Sequence, residues 1–452
     1  MNYVSTRGQT VPYSFTHAVE AGMAPDGGLF LPERFPDISE KLGPWSSLSY
    51  PALAAEFFTL FGPEIPRDEW HDLTREAYAV FDDPMVAPLH PLGERTIILE
   101  LFHGPTLAFK DFALRLLGLL YKRQISLSGQ RLAVLGATSG DTGSAAIHGC
   151  LGLPGLRLFI LYPKGRVSPL QERQMACTGA DNVFAIPVSG TFDDAQRVVK
   201  ELFADTAFAK SAHLSAVNSI NVARVLAQCV YYIWAWLRLD VGKRERVEFV
   251  VPTGNFGNVL AGWLAQKMGV FPATTFRVAT NQNDILHRFF STGEYVPMDV
   301  RPSHAPSMDI QIASNFERFL FFLLDRDPAR VRDAMAGMKS SLRLNLAPLP
   351  EHTFRASSMS DDEIRATIGR VWREHGYLVD PHTACAFADL ANDRTNVILA
   401  TAHPAKFPDL VQKATGTEPT HPALEALKTK PLRLWPMAAD AQTVKSFIRA
   451  RI

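Results

Sequence analysis

Short apolar segments alternate with helical patterns over most of the chain after about residue 95. Seven segments have the length and composition of buried strands: RLAVLG, LRLFILY, NVFAIPV, HLSAV, VEFVV, TFRVAT and NVILAT. Because their apolar runs are continuous rather than confined to every second residue, both faces of the sheet must be covered. The pattern predicts an α/β protein with parallel sheets packed between layers of helices.

The first 95 residues have a different character. Turn-forming sequences such as APDGGLFLPERFPD and FDDPMVAPLHPLGE surround helical stretches such as YPALAAEFFTLFG. We therefore expect a small, mostly helical N-terminal region over residues 1–95. Two later segments, Tyr295 to Ser307 and Leu342 to Ser360, are expected to be long surface connections.

Composition narrows the class of ligand. The 46 Lys and Arg residues balance the 46 Asp and Glu residues, so a small molecule is expected rather than a nucleic acid. The four cysteines form no CxxC pair, which argues against a zinc site, and we expect no metal and a reducing, cytoplasmic setting. The N-terminus does not resemble a secretory signal, and the longest apolar runs fall short of the roughly 20 residues of a membrane span.

Ligands of open α/β sheets bind beyond the carboxyl ends of the strands. In VVPTGNFGNVLAG a strand leads through Gly254, Asn255, Phe256, Gly257 and Asn258 into a helix. Glycines that let backbone N–H groups converge at a helix N-terminus suit a phosphate. On this loop alone, an ordinary turn between strand and helix is the simpler explanation.

Two more strand ends have the same plan. In LGATSGDTGSAA the residues at the helix start suit a small anion such as a carboxylate, although they also fit a simple N-cap cluster; they are Thr138, Ser139, Gly140, Asp141 and Thr142. In AVNSINVARVLAQ, Ser219 is the expected N-cap and Arg224 follows about a turn into the helix. Together they suit a second phosphate, unless Arg224 is only a surface residue.

Lys110 occupies the start of a helical pattern in HGPTLAFKDFA, between Phe109 and Phe112. A lysine on a helix face often only covers apolar surface with its stem. Desolvation by the flanking phenylalanines would instead lower its pKa and make a neutral amine available for Schiff-base chemistry. A lysine with phosphate-type loops at several strand ends suggests a phosphate-bearing carbonyl cofactor such as pyridoxal phosphate.

With these motifs assembled, the chain resembles the threonine synthases, pyridoxal-phosphate enzymes of the tryptophan-synthase-β fold type. The resemblance runs nearly end to end, through NYVSTRG, APDGGLFLPE, HGPTLAFKDFA, LGATSGDTGSAA, NSINVAR, PTGNFGN, MDIQIASNFERFL, DPHTA and TAHPAKF. It implies fold type II, with two three-layer α/β subdomains on parallel sheets beside the N-terminal region. It also implies a catalytic core over 96–452, in which a smaller subdomain of roughly residues 130–215 is inserted.

The resemblance implies pyridoxal 5'-phosphate as the cofactor and Lys110 as the lysine that forms the internal aldimine. Gly254 to Asn258 would cradle the phosphate, Thr401 would meet the pyridine nitrogen, and Asp141 would stand at the cofactor in place of the asparagine of related enzymes. The residues that would hold the substrate carboxylate are Thr138, Ser139, Gly140 and Thr142. Those that would hold the substrate phosphate are Ser219, Asn221 and Arg224.

The implied reaction converts O-phospho-L-homoserine and water to L-threonine and phosphate, with Lys110 as general base. One alternative is an eliminase of the same fold that releases ammonia, for which Ser219 and Arg224 would have little purpose. Another is a nucleotide-binding or regulatory homologue without catalysis. A dehydrogenase gains no support, because no strand is followed by G-x-G-x-x-G.

Some properties stay open at this point. We expect a monomer or homodimer, and the sequence does not choose between them. Arg7 in STRG either approaches the site or is a structural cation, and Lys164 and Arg166 in PKGRVS either approach it or are merely solvated.

Overall fold

The computed structural model describes residues 1–138, 140–341, 343–345 and 353–452. The strands in these ranges are β1 (Tyr3–Ser5), β2 (Phe30–Pro32), β3 (Leu89–Pro91), β4 (Thr96–Glu100), β5 (Leu132–Ala137), β6 (Leu156–Pro163), β7 (Val183–Ser189), β8 (Leu214–Ala216), β9 (Val247–Pro252), β10 (Thr275–Thr280), β11 (Glu294–Tyr295), β12 (Leu344–Asn345), β13 (Phe354–Ser358), β14 (Thr395–Ala400) and β15 (Met437–Ala438).

The α-helices are α1 (Phe15–Ala21), α2 (Leu42–Trp45), α3 (Tyr50–Phe61), α4 (Arg67–Tyr78), α5 (Lys110–Ser128), α6 (Asp141–Cys150), α7 (Pro169–Ala176), α8 (Phe192–Ala204), α9 (Thr206–Ser211), α10 (Val222–Arg238), α11 (Gly257–Lys267), α12 (Ile285–Thr292), α13 (Phe316–Leu323), α14 (Pro328–Ser341), α15 (Asp361–His375), α16 (Pro381–Cys385), α17 (Pro408–Thr415), α18 (Pro422–Glu425) and α19 (Ala441–Arg449). Short 3₁₀ turns cover Ser39–Lys41, Val241–Lys243, Pro306–Met308 and Pro404–Lys406. No helix in the described ranges combines the length and the apolar character that a membrane crossing needs.

The larger sheet has the strand order β13-β10-β9-β14-β4-β3. Its first five strands pair in parallel, and β3 runs antiparallel to β4 at one edge. Strands β9, β10 and β14 are buried along their whole length, which explains their continuous apolar sequences. Because these strands are parallel, the loops that follow them lie at one edge of the sheet.

The smaller sheet has the order β15-β7-β6-β5-β8, and all its pairs are parallel. On one face Phe159 belongs to a buried cluster with Val198 of α8 and Ile448 of α19. On the other face β6 packs against α5 and α6. The sheet is therefore covered on both sides.

The predicted architecture is confirmed. All seven predicted strands are present, as β5 to β10 and β14, in two parallel sheets between helices. The prediction of a surface connection from Leu342 to Ser360 is wrong in part, because Phe354–Ser358 forms β13 beside β10 and Phe354 is buried. Residues 342 and 346–352 of that segment lie outside the described ranges.

The N-terminal helices share their core with the sheets' helices. Helices α3 and α4 pack together, with Phe58 stacked on Trp70 at 4.9 Å between ring centroids. The ring of Tyr50 lies 5.4 Å from those of Phe112 in α5 and Trp234 in α10. The N-terminal region is thus packed directly on the two helices that lead to the site described below.

Helices α5 and α6 touch backbone to backbone at two glycines. A Cβ atom on Gly118 would lie 1.9 Å from the carbonyl oxygen of Gly149, and one on Gly149 would lie 2.3 Å from that of Leu114. Gly118 and Gly149 each lie eight residues after the first residue of their helix, Lys110 and Asp141 respectively. The contact therefore aligns the two helix starts.

We predict that Gly118→Ala destabilises the protein. Alanine is the better helix former by about 1 kcal/mol, but its methyl group has no room, so we expect a net loss of roughly 1–3 kcal/mol in the free energy of unfolding. Urea unfolding measures this change. Gly43→Ala in α2 is the control, since an added Cβ there meets no atom within 4 Å. Equal stabilities for the two variants would contradict the prediction.

Candidate active site

A pocket lies where the loops after β5, β9 and β14 meet the start of α5. The structure brings most of the predicted site residues into its wall: Lys110, Asp141, Thr142, Ser219, Arg224, Gly254, Asn255, Phe256, Gly257, Asn258 and Thr401. Predictions made from five separate segments therefore meet in one place. Of the remaining predicted residues, Ser139 lies outside the described ranges.

Lys110 is the first residue of α5 and its side chain is only 12% exposed. Its Nζ lies 3.4 Å from Asp141 Oδ2 and 4.8 Å from the centre of the Phe109 ring. Burial lowers the pKa of Lys110, as expected, although the Asp141 carboxylate opposes the shift. Phe112 instead packs into the aromatic core beside Tyr50 and Phe81.

Asp141 is the first residue of α6, where the helix dipole favours a negative charge. Its Oδ1 accepts from Lys406 Nζ at 2.9 Å, and its Oδ2 accepts from Ser307 Oγ at 2.8 Å. Burial alone would raise the pKa of Asp141, but the charges of Lys406 and Lys110 hold that pKa well below its usual range. The carboxylate is thus a fixed negative charge beside Lys110.

The loop from Gly254 to Asn258 has the backbone that a phosphate cradle needs. Gly254 has no room for a side chain, because a Cβ there would lie 2.9 Å from the carbonyl oxygen of Ser307. Phe256 adopts the left-handed conformation at φ 63°, and α11 begins at the next residue. The first intrahelical hydrogen bond of α11 runs from the N–H of Leu260 to the carbonyl oxygen of Phe256. The N–H groups before Leu260 have no acceptor within the helix and are available to a ligand.

Asn258 completes this loop. Its Oδ1 accepts from the hydroxyls of Tyr231 at 2.6 Å and Tyr232 at 2.9 Å, which fixes the side chain. Its Nδ2 is buried without a hydrogen-bond partner. A buried, unpartnered donor in the pocket wall is the kind of group that a bound anion satisfies.

A second cationic group lies at the start of α10. Arg224 is buried, its Nη1 donates to the carbonyl oxygen of Asn218 at 2.6 Å, and its Nε has no partner. Burial lowers the pKa of Arg224 to about 10. The ion pairs of the described residues include none to Arg224. Ser219 Oγ lies beside Ser314 Oγ at 2.7 Å in the same wall.

The structure corrects one detail of this helix start. Ser219 is not the N-cap of α10, because the helix begins at Val222 and Asn221 caps it by accepting from the N–H of Ala223. The Asn221 amide also donates to the carbonyl oxygen of Val19 at 2.8 Å. Both polar atoms of Asn221 are therefore engaged with backbone, and it does not line the pocket.

Thr138 and Gly140 shape the loop before α6 and do not line the pocket. Thr138 is buried, and its hydroxyl accepts from the N–H groups of Gly140 at 3.0 Å and Gly143 at 2.9 Å. Gly140 has φ 141°, and a Cβ there would lie 2.4 Å from the side chain of Gln171. Their predicted contact with a carboxylate stays a prediction.

Thr401 follows β14 directly. Its N–H donates to Thr383 Oγ1 at 3.3 Å, and its carbonyl oxygen accepts from the N–H of Phe109 at 2.9 Å. The segment before Lys110 is therefore hydrogen-bonded to the end of the large sheet.

Three residues of the site were missed by the sequence reasoning. Lys406 and His382 lie in the quoted motifs TAHPAKF and DPHTA, and Ser307 ends a predicted surface connection. His382 Nε2 accepts from the N–H of Ser307 at 3.1 Å, and its Nδ1 lies 2.6 Å from Asp380 Oδ2. Asp380 is also the N-cap of α16. From the sequence, DPHTA therefore looks like an ordinary helix start, and its spacing does not reveal the buried Asp380–His382 pair.

The structure also shows where the three basic residues lie whose roles the sequence does not decide. Arg7 is a structural cation, since its guanidinium donates to both carboxylate oxygens of Glu317 at 3.0 and 2.9 Å. Lys164 and Arg166 are exposed and do not line the pocket.

Comparison with known proteins identifies the class. Residues 88–397 match the family model described as pyridoxal-phosphate dependent enzyme. Residues 2–78 and 382–448 match the models for the N terminus and the C-terminal part of threonine synthase. The fold and the pocket thus belong to a pyridoxal-phosphate dependent enzyme.

Individual relatives agree along nearly the whole chain. A threonine synthase of Pseudomonas aeruginosa is 45% identical over 435 residues, covering 94% of this chain and 92% of the relative. One from Schizosaccharomyces pombe is 40% identical, with 92% and 90% covered. The crystal structure of the PLP-bound threonine synthase from Brucella melitensis superimposes with a TM-score of 0.95 at 43% identity, covering 100% and 99%. The chain belongs to the threonine synthase family.

The pocket fits the cofactor of this class. It contains a buried lysine, a helix start with free N–H groups, a glycine whose Cβ would collide with Ser307, and the orphaned Asn258 amide. These features provide an amine for the carbonyl carbon and donors for the phosphate of pyridoxal phosphate.

We predict that Gly254→Ala weakens cofactor binding. The added methyl group must displace the backbone at Ser307, so we expect the affinity for pyridoxal phosphate to fall at least about tenfold, or ~1.4 kcal/mol. Absorbance titration of the cofactor-free protein measures the affinity. Gly242→Ala is the control, because no atom lies within 4 Å of a Cβ there; wild-type affinity in Gly254→Ala would contradict the prediction.

Proposed function

We propose that this protein converts O-phospho-L-homoserine and water to L-threonine and phosphate. The observation that carries the choice of a phosphorylated substrate is Arg224, a buried guanidinium in the pocket wall with an unpartnered Nε. A buried cation of this kind is costly unless a ligand supplies the opposite charge. The cofactor phosphate has its own site at the α11 start, so Arg224 is available for a second phosphate.

Within this proposal, Lys110 would hold the cofactor at its carbonyl carbon, the Gly254–Asn258 loop would hold its phosphate, and Asp141 and Thr401 would contact its ring. When bound, pyridoxal phosphate draws electrons from the carbon skeleton of an amino-acid substrate. The protein's part is then to bind, orient and move protons.

Lys110 is the proton carrier. Its lowered pKa leaves more of the amine neutral near pH 7 than an exposed lysine would have. Once the amino group of the substrate has taken its place at the carbonyl carbon, the Lys110 amine takes the proton from the α carbon, hands it on, and then takes one from the β carbon, as phosphate leaves the γ carbon with its bonding electrons. Water adds its hydroxyl group at the β carbon, and its remaining proton passes to the released phosphate. The two protons that Lys110 carried are returned to the α and γ carbons, which completes L-threonine.

Arg224 and Ser219 bind the substrate phosphate and stabilise its charge as it departs. The start of α6 receives the substrate carboxylate, where Thr142 lines the pocket and the helix dipole favours an anion. Thr138, Gly140 and Ser139 are proposed to shape this carboxylate site, and Asn221 to support the phosphate site through its cap of α10.

We also propose the broader organisation inferred from the sequence. An N-terminal region over 1–95 precedes a catalytic core over 96–452, with a smaller subdomain near 130–215. β5 to β8, within Leu132–Ala216, support the smaller subdomain. β3 at Leu89–Pro91 precedes the boundary at residue 95 but pairs into the large sheet of the core. We propose a cytoplasmic monomer or homodimer.

The first prediction concerns the products. With pyridoxal phosphate and O-phospho-L-homoserine, we expect L-threonine and phosphate in equal amounts, measured by amino-acid analysis and a phosphate assay. An eliminase would release 2-oxobutyrate and ammonia instead, and these as main products would refute the proposal. In Lys110→Ala we expect turnover to fall at least about 100-fold, because the proton carrier is lost.

The second prediction separates the substrate phosphate site from the cofactor site. Arg224→Ala should raise the KM for O-phospho-L-homoserine roughly 10- to 100-fold, since it removes charge-assisted hydrogen bonds of about 1.5–3 kcal/mol. The cofactor absorbance should stay that of the wild type. Arg197→Ala, on the exposed face of α8, is the control. An unchanged KM in Arg224→Ala would contradict the proposal that Arg224 binds the substrate phosphate.

A further inference from the structure

Lys406 is a second buried lysine at the site, and the reaction described above does not use it. Its side chain is 1% exposed, although it ends a short 3₁₀ turn in a loop. Its Nζ donates to Asp141 Oδ1 at 2.9 Å and to the carbonyl oxygen of Thr106 at 2.9 Å. Burying an ammonium group is unfavourable, so these partners must hold it.

The two partners of Lys406 belong to the two segments that meet at the proposed catalytic lysine. Thr106 lies in the turn that leads to Lys110, and Asp111 fixes that turn by accepting from the Thr106 N–H at 2.8 Å and its hydroxyl at 2.7 Å. Asp141 begins α6. Lys406 therefore links the turn that precedes Lys110 to the Asp141 carboxylate.

The charged groups that influence Lys110 and Asp141 are mostly buried. Lys110, Lys406 and His382 act on Asp141, whereas Asp141, Lys406 and Arg224 act on Lys110. Lys406 also interacts electrostatically with Asp111 of α5 and His148 of α6. Asp380 pairs with His382. Asp141 is closer to Lys406, at 2.9 Å, than to Lys110, at 3.4 Å.

We propose that Lys406 is a positioning residue that holds Asp141 charged and in place, and thereby keeps Asp141 from pairing fully with Lys110. The inference rests on the proposed role of Lys110 as the cofactor-bound proton carrier. Without Lys406, the carboxylate would have Lys110 as its nearest cation and would hold the proton on that amine. With Lys406 present, Asp141 can orient Lys110 without trapping it as an ammonium group.

The test is a pH titration of the absorbance of the bound cofactor, which needs no substrate. Lys406→Met should raise the pH of the transition by about 1–3 units, because one nearby cation is lost while the carboxylate remains. Asp141→Asn should lower it, because the carboxylate is lost while Lys406 remains. The double variant should return toward the wild-type value. Lys122→Met on the exposed side of α5, where Lys122 pairs with Glu76, should not shift it.

Thermal unfolding of the same holoproteins provides the second readout, which is needed if a variant holds the cofactor poorly. Asp141→Asn leaves Lys406 buried without its carboxylate, so adding Lys406→Met in that background should raise the Tm, whereas Lys406→Met alone should lower it. The proposal is overturned if Lys406→Met lowers the Tm equally in both backgrounds, or if it leaves the cofactor titration unchanged. Because neither measurement involves O-phospho-L-homoserine, a wrong substrate assignment would not affect the result.

Discussion

The contact between α5 and α6 at Gly118 and Gly149 fixes the positions of Lys110 and Asp141 in the pocket wall. The two helices run parallel, since Lys110 meets Asp141 at their starts and Gly118 meets Gly149 eight residues later on each. Eight residues correspond to about 12 Å along a helix. Over that length the helices stay in contact, and Arg115 Nη1 donates across them to the carbonyl oxygen of His148 at 2.9 Å. A larger residue at either glycine would separate the helices and with them the amine and the carboxylate.

The electrostatics of the pocket follow from this alignment. Lys406 and Arg224 are buried basic groups, Lys110 is mostly buried, and Asp141 is a buried carboxylate among them. Even when Lys110 is neutral, as the proposed mechanism requires, one positive charge at Arg224 remains without a protein partner in the described ion pairs. The start of α11 adds partial positive charge at the Gly254–Asn258 loop. Such a pocket favours ligands with more than one anionic group, as a phosphorylated amino acid on a phosphorylated cofactor would be.

The sequence predicts the site best where the signal is local. Buried parallel strands are continuously apolar, and the loops after them are short and rich in glycine and hydroxyl groups, so β5, β9 and β14 and the loops around Asp141, Gly254 and Thr401 could be placed in advance. Lys406 could not, because a lysine after a proline turn looks solvated until its partners, some 265 and 300 residues away, are known. The sequence predicts the wrong cap for α10, because serine and asparagine serve equally well at that position and only the backbone shows that Asn221, not Ser219, is the cap. β13 was missed because Phe354–Ser358 has little apolar character.

The N-terminal segment supports the loops that contain Ser219 and Asn255 rather than contributing side chains to the pocket. Thr6 and Arg7 both donate to Glu317, which lies beside Arg318 in the first turn of α13. Arg318 donates to the carbonyl oxygens of Phe30 and Ile220, and to Asn315 Oδ1 at 2.6 Å. The Asn315 amide in turn donates to the carbonyl oxygens of Ser219 at 3.0 Å and Asn255 at 3.2 Å. Through the adjacent residues Glu317 and Arg318, these hydrogen bonds link the N-terminal segment to the loops that contain Ser219 and Asn255, although STRG and SNFER do not themselves reach Lys110.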